Sequence, residues 1–266
     1  MIYIIIFLLV GIVLAGLHRI LLVSANIRAP ILRRYLRWVY RGDFDLCRNE
    51  LQHMGFYLLL LPHEQEEFLY RVFYLTKNKL FVGREGLKIT PQMKVLVCAA
   101  LAQLTFGYSQ YSLPRLVAIY LYPGPFFSKR LQVQVKGLSI DSHTLMLSWP
   151  DFCKGYASAT DGINLGLHEL SHSLWTYMQY LNSDFTDIAL LKLRLHRQTI
   201  RQNTPESDPL FRDYAFTDDQ EFWACCVEIF FESPLRFEVE HPELYNLMRK
   251  LLLQDMAERW RRIRKN

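Results

Sequence analysis

Residues 165–174 read LGLHELSHSL, and this stretch decides how the rest of the chain is interpreted. His168 and His172 are four positions apart, so on a helix both imidazoles lie on one face, one turn apart, and both can bind the same metal ion. Glu169 follows the first histidine, where its carboxylate can act as general base toward a metal-activated water. The other residues of the stretch are uncharged, which is typical of a helix packed inside a domain. The stretch therefore predicts a metal-dependent hydrolytic site on a buried helix.

A catalytic zinc site needs a third protein ligand and an open position for water or substrate. Glu221 begins the apolar run EFWACCVEIFFE at residues 221–232 and is the ligand that we favour. Glu228 is the competing candidate, because seven residues separate the two glutamates and both lie on one helix face. Glu228 could instead accept a hydrogen bond from the ring N–H of a ligating histidine. Cys225 shares that face, but a small buried thiol is its commoner role.

Tyr214 precedes Glu221 by seven residues. A phenol at this position could hydrogen-bond the oxyanion that forms when water attacks a peptide carbonyl. The chain contains 15 tyrosines, so an ordinary packing role is about as plausible. Spacing alone leaves both roles open.

The composition is that of a globular chain. Of the 266 residues, 51% are hydrophobic and 21% are charged, so there is ample apolar surface to offset the chain entropy lost on folding. The net charge is +5, but the basic C-terminal residues 259–265 are interpreted as a solvated helix end, and direct nucleic-acid binding is not indicated. The odd number of cysteines and the lack of a C-x-x-C pair argue against a disulfide framework and a thiolate zinc site. The cysteines are Cys47, Cys98, Cys153, Cys225 and Cys226.

The N-terminal residues predict a membrane anchor. Residues 1–17 carry no charged side chain, and the apolar run at residues 20–23 extends the stretch to about 20 residues, the lower end of what spans a bilayer. The arginines of residues 28–41 all follow this stretch, which favours a cytoplasmic C-terminal side. We therefore expect a single-pass transmembrane helix at residues 1–23 in the inner (cytoplasmic) membrane, with the catalytic domain in the cytoplasm.

The remainder divides into a connection and a domain. We expect a juxtamembrane connection at residues 24–60, containing one short helix, and a peptidase domain at residues 61–266. The fold class expected for the domain is α+β, mostly helical with a small mixed β-sheet.

Local patterns place the elements of this domain. Thr90 and Pro91 predict a helix N-terminus, with threonine as N-cap and proline at the first helical position of a segment that ends near Gly107. Runs of β-branched and aromatic residues within 113–135 and 144–149 predict the strands of a small mixed or antiparallel sheet. Other helices are predicted at residues 62–79, 163–181, 188–201, 218–232 and from about 242 to the C-terminus.

Several dispersed segments, taken in order, resemble the Mlc titration factor A (MtfA) family. These are zinc peptidases of the gluzincin clan whose catalytic core is similar to that of anthrax lethal factor. The resemblance covers about residues 61–237. It rests on LP at 61–62, YLYPG at 120–124, LSW at 147–149, LHELSH at 167–172, EFWA at 221–224 and EIFFESP at 228–234.

The resemblance implies a zincin-like domain in which His168, His172 and Glu221 bind one Zn²⁺ ion and Tyr214 assists the transition state. Members of the family are known for aminopeptidase activity and for binding the glucose repressor Mlc. A peptide or protein substrate and an Mlc-like transcriptional regulator are therefore the implied partners. The chain departs from the family in two ways: Trp175 stands where members usually carry the aspartate of H-E-F-A-H-x-L-D, and the repressor-binding member is soluble, without an anchor.

Two functions remain open at this point, and a structural zinc protein is a weaker third, because structural sites are usually closed by four protein ligands and the sequence offers three. The favoured one is a zinc-dependent peptidase with aminopeptidase activity, tethered to the cytoplasmic membrane. The alternative is a regulatory binding module of the MtfA type that sequesters a transcriptional repressor or another partner. Glu169 favours the enzyme, because a binding module has no need of a general base.

Overall fold

The structure is a computed structural model. It describes residues 30–157, 162–181, 183–203, 208 and 210–264. The predicted anchor at residues 1–23 lies outside these residues. Within the described ranges, no helix combines the length and the apolar character needed to cross a bilayer.

The described part of the chain is mostly helical, as predicted. Its helices within residues 30–104 are α1 (Pro30–Val39), α2 (Arg41–Leu51), α3 (Gly55–Leu58), α4 (Pro62–Asn78) and α5 (Pro91–Leu104). Those that follow the sheet are α6 (Trp149–Ala157), α7 (Leu165–Leu181), α8 (Asp184–Asn203), a 3₁₀ turn (Asp213–Phe216), α9 (Asp219–Glu232), α10 (Pro234–Glu240), α11 (Pro242–Leu252) and α12 (Met256–Arg264).

The strands form one mixed sheet and a separate two-stranded ribbon. They are β1 (Leu80–Gly83), β2 (Ala118–Tyr122), β3 (Phe126–Ser128), β4 (Val133–Val135), β5 (Gly137–Ile140) and β6 (Thr144–Ser148). The sheet has the order β1-β2-β6-β5, in which β1, β2 and β6 are parallel and β5 runs antiparallel to β6. Strands β3 and β4 pair antiparallel in the ribbon. The α+β fold class with a small mixed sheet is thereby confirmed.

Two helix starts are capped by side chains, and the one at Thr90 was predicted. Thr90 precedes α5, and its side chain accepts a hydrogen bond from the Met93 N–H, 3.3 Å away. Asp218 likewise precedes α9 and accepts from the first-turn N–H groups. Such caps satisfy backbone donors that lack an intrahelical partner.

Helices α7 and α9 pack against each other at the centre of the domain. On α7, Leu167, Leu170 and Leu174 recur at helical spacing, and all three are fully buried. The indole N–H of Trp223 on α9 donates to the carbonyl oxygen of Ser171 at 2.9 Å. This bond joins two apolar helices by a buried polar contact and fixes their relative position.

The segment before residue 61 differs from its prediction. One short helix was expected in the connection at residues 24–60, whereas the described part contains α1, α2 and α3. Helix α2 packs into the core, because Phe44 is buried and its ring stacks on that of Phe73 with centroids 4.2 Å apart. Its apolar residues recur every three or four positions among charged ones, so a short amphipathic helix resembles a linker in sequence.

The prediction of one continuous helix from residue 242 to the C-terminus is wrong. The chain leaves the helix at Leu253, which has the left-handed φ of 53°, and α12 begins only at Met256. The break lets Gln254 turn inward, where its amide donates to the carbonyl oxygen of Gln103 at 3.0 Å, at the end of α5. Asp255 then caps α12 by accepting from the Glu258 N–H at 3.0 Å.

Candidate metal centre

Helix α7 carries both histidines of the motif on one face. Its start is set by Asn164, whose side-chain oxygen accepts from the Leu167 N–H at 3.0 Å, as an N-cap does. The rings of His168 and His172 lie with centroids 5.1 Å apart and are nearly perpendicular, at 79°. The four-residue spacing therefore brings the two imidazoles together as predicted.

Helix α9 supplies the third donor from its first turn. Asp218 accepts hydrogen bonds from the N–H groups of Gln220 and Glu221, at 2.8 and 2.9 Å. Glu221 then reaches both histidines: one carboxylate oxygen lies 3.0 Å from Nε2 of His168, and the other lies 3.6 Å from Nε2 of His172.

The three side chains form a compact donor cluster. One potential ligand atom from each of His168, His172 and Glu221 lies within 4.8 Å of the other two. Two imidazoles and one carboxylate are a donor set that catalytic zinc sites use, with the fourth position left open. The donor chemistry and the convergence of these side chains therefore fit a single zinc ion.

The electrostatics of the cluster favour a positive charge between the carboxylates. Burial lowers the pKa of His168, but hydrogen bonds to Glu221 and Glu228 outweigh burial and raise that pKa to about 10. Burial and the neighbouring His168 charge lower the pKa of His172 to about 4. His172 is therefore neutral near pH 7, as a metal ligand must be, whereas His168 has to release the Nε2 proton that it shares with Glu221 when a metal binds.

Glu169 lies beside this cluster, at the edge of the sheet. Its side chain is buried, and burial together with the charges of Glu221 and Glu228 raises its pKa to about 7, against the opposing effect of His168. The backbone of Ser139 on β5 also hydrogen-bonds the carboxylate. A carboxyl with a pKa near the working pH is suited to take and return a proton.

Gly137 on β5 leaves the space that Glu169 occupies. A Cβ atom at this position would lie 2.5 Å from Cγ of Glu169. Gly137→Ala is therefore expected to displace the carboxylate and to lower kcat, by about 10²-fold for a misplacement near 1 Å, while zinc content is unchanged. Peptide hydrolysis and metal analysis measure the two effects.

Gly42→Ala is the matched control, because a Cβ at Gly42 meets no atom within 4 Å. It is expected to retain wild-type kcat. If Gly137→Ala is as active as Gly42→Ala, the position assigned to Glu169 is wrong.

Tyr214 lies on the exposed side of the cluster, in the 3₁₀ turn. Its side chain is 52% exposed, and its ring centroid is 6.1 Å from that of His168. Its hydroxyl and the Glu221 carboxylate are hydrogen-bonded, and partial burial together with this carboxylate raises the pKa of the phenol. Tyr214 therefore keeps its proton at neutral pH and can donate it in a hydrogen bond.

Glu228, the competing candidate ligand, accepts several hydrogen bonds. It is buried and accepts from the backbone N–H of Asn164 at 2.7 Å and from the guanidinium of Arg212. One of its oxygens also lies 3.3 Å from Nδ1 of His168. The geometry therefore makes Glu228 the acceptor that orients His168, which is the alternative role considered for it from the sequence.

Cys225 is also buried, with its sulfur 3.5 Å from the guanidinium of Arg212. Burial and the neighbouring Glu228 raise the pKa of the thiol to about 12. A protonated thiol is a weak ligand at neutral pH.

Trp175 shows what replaces the aspartate of the family pattern. The indole is 5% exposed and tilts against the ring of Trp223, with centroids 6.2 Å apart. An aromatic contact between α7 and α9 thus occupies the position where family members usually have a carboxylate.

Sequence reasoning missed Asn164 and Arg212 as parts of the site. An asparagine directly before a predicted helix is an N-cap signal that could have identified Asn164. Arg212 has no comparable local signal, because its contact with Glu228 depends on the loop that returns to α9.

Comparison with known proteins gives two matches. The family model described as glucose-regulated metallo-peptidase M90 matches residues 43–252, a range that contains the donor cluster, Glu169 and Tyr214. A Synechocystis sp. protein described as uncharacterized protein slr2042 is 21% identical over 218 residues, which cover 74% of this chain and 79% of that protein.

Proposed function

Because this chain belongs to the M90 family of glucose-regulated metallopeptidases, we propose that it is a zinc-dependent peptidase of the gluzincin type. His168, His172 and Glu221 hold the metal, and Glu169 is the general base. The observation that carries the proposal is the convergence of the three donors on one point, with the buried Glu169 carboxylate beside it. A closed structural zinc site would take four protein ligands, and this cluster supports three.

Zinc, when bound, supplies a Lewis acid that polarises the scissile carbonyl and acidifies water. Glu169 takes a proton from the attacking water and then delivers it to the nitrogen of the leaving amine as the C–N bond breaks. Its pKa near 7 allows both transfers. Glu228 and Arg212 hold His168 in the orientation that directs Nε2 at the metal position.

Tyr214 is proposed to donate a hydrogen bond to the oxyanion of the transition state. Tyr214→Phe is expected to lower kcat by about 10²-fold, since removing one oxyanion donor costs about that much, with little change in KM or zinc content. Steady-state hydrolysis of a chromogenic peptide measures the effect. An unchanged kcat would assign the phenol to packing instead.

Aminopeptidase specificity is proposed because the chain resembles the MtfA family. Paired peptides of one sequence, with a free or an acetylated N-terminus, test it. Release of the first residue from the free peptide alone is expected. Equal cleavage of both peptides would make the protein an endopeptidase.

The proposal includes a tether to the cytoplasmic membrane through residues 1–23. It is supported by the uncharged run at residues 1–17 and by the arginines that follow within residues 28–41. After alkaline extraction, the full-length chain is expected to stay with the membrane pellet. Complete release into the supernatant would contradict the tether.

A further inference from the structure

A second set of potential metal donors lies directly behind the first. It consists of His168, Cys225 and Glu228, all buried, with one potential ligand atom from each within 4.8 Å of the others. The two sets share His168, which directs Nε2 toward Glu221 and Nδ1 toward Glu228.

The guanidinium of Arg212 contacts two of these three donors. Its Nη2 atom hydrogen-bonds a carboxylate oxygen of Glu228 and lies 3.5 Å from the sulfur of Cys225. The Glu228 side chain is only 2% exposed, so its negative charge needs a nearby cation. Arg212 supplies that cation from the segment that leads into the 3₁₀ turn.

We infer that Arg212 is a positioning residue whose guanidinium takes the place of a metal ion in the second donor set. Metal binding is thereby confined to the first set. The inference rests on the proposed zinc site. With Arg212 bound to Glu228, that carboxylate accepts from Nδ1 of His168, and the Nε2 lone pair is left for the metal. Without Arg212, the second set is a buried thiol, imidazole and carboxylate with no cation. A divalent metal that binds there displaces the thiol proton of Cys225 and the Nδ1 proton of His168 to solvent, and His168 then bridges the two metal positions as an imidazolate.

A purely structural role for Arg212 predicts a change in stability but not in the metal ligands. Its removal would then lower the free energy of unfolding, because a buried charge loses its partner, but the number and type of metal ligands would stay the same. Metal coordination therefore distinguishes the two roles, whereas stability does not.

The test is a cobalt titration of the metal-free, full-length protein and its variants, followed by absorption spectroscopy. Wild type is expected to bind about one Co²⁺ per chain without a sulfur-to-cobalt charge-transfer band, since its ligands are nitrogen and oxygen. Arg212→Met, which keeps the length but not the charge, is expected to bind about two Co²⁺ per chain and to show the thiolate band.

Two further variants are the controls. Arg212→Lys restores a cation beside Glu228 and is expected to return the wild-type spectrum. Adding Cys225→Ser to Arg212→Met is expected to remove the thiolate band. If Arg212→Met does not fold, Arg212→Gln replaces it, because glutamine keeps an N–H donor for Glu228 but carries no charge.

The outcomes separate this inference from the proposed function. If wild type binds one Co²⁺ and the uncharged variant shows the same spectrum and stoichiometry, the role of Arg212 is overturned and the zinc site stands. Wild type that binds no metal overturns both.

Discussion

Replacing Glu169 with glutamine is expected to lower kcat by about 10²- to 10⁴-fold while zinc stays bound, because the amide keeps the shape of the side chain but cannot accept the proton of water. The carboxylate is buried, has a pKa near 7 and is hydrogen-bonded by the Ser139 backbone. None of the three proposed ligands changes. Hydrolysis of chromogenic amino-acid and peptide substrates, with zinc content measured on the same samples, tests the prediction.

Glu66→Gln is the control for replacing a carboxylate by an amide away from the site. Glu66 lies on α4, where it is exposed and paired with Arg37, and its replacement is expected to leave kcat unchanged. If Glu169→Gln hydrolyses peptides as fast as Glu66→Gln, Glu169 is not the base. If zinc binds but wild type cleaves nothing, the regulatory binding module becomes the better account.

Replacing Glu221 with alanine is expected to weaken zinc binding by more than about 10²-fold, which exceeds the usual effect of losing a residue that only orients a ligand. Among the residues that the structure describes, Glu221 is the carboxylate that lies close to Nε2 of both histidines, at 3.0 and 3.6 Å. Its loss leaves two ligands. Competition with a chelator of known affinity measures the zinc dissociation constant.

Glu228→Gln is the matched comparison on the same helix. Glu228 contacts His168 only through Nδ1, so its replacement is expected to weaken zinc binding by about 10- to 100-fold. The reverse order of the two effects, with Glu228→Gln the more damaging, would show that Glu228 is the ligand.

Much of the site could be predicted from local sequence. Two histidines four positions apart must share a helix face, and the observed 5.1 Å between their rings follows from that spacing. The N-cap Thr90 also acts locally, so it was identified without tertiary information. The matched family model confirms the resemblance to the MtfA family that the dispersed motifs indicated.

Other features depend on contacts between distant segments. Strands β1 and β5 have four residues each, and their pairing with β2 and β6 defines them more than their composition does. The break at Leu253 allows Gln254 to contact the end of α5, more than a hundred residues earlier in the chain. The strand pairing and the contact of Gln254 have no local signal, although Asp255 is a local N-cap signal for the start of α12.

The choice between Glu221 and Glu228 as the third ligand also depends on contacts between distant segments. Both glutamates lie on one face of α9, and spacing allows either to be the ligand. Arg212 and Asn164, which come from separate loops, engage Glu228 and leave Glu221 facing both histidines. The distinction therefore arises from tertiary structure.

The most direct test of the zinc site is X-ray absorption at the zinc edge on the full-length protein, with the metal content measured on the same sample. We predict about one zinc per chain, with only nitrogen and oxygen ligands at about 2.0–2.2 Å, from His168, His172 and Glu221. A sulfur ligand at about 2.3 Å, or protein that binds no zinc, would contradict this account.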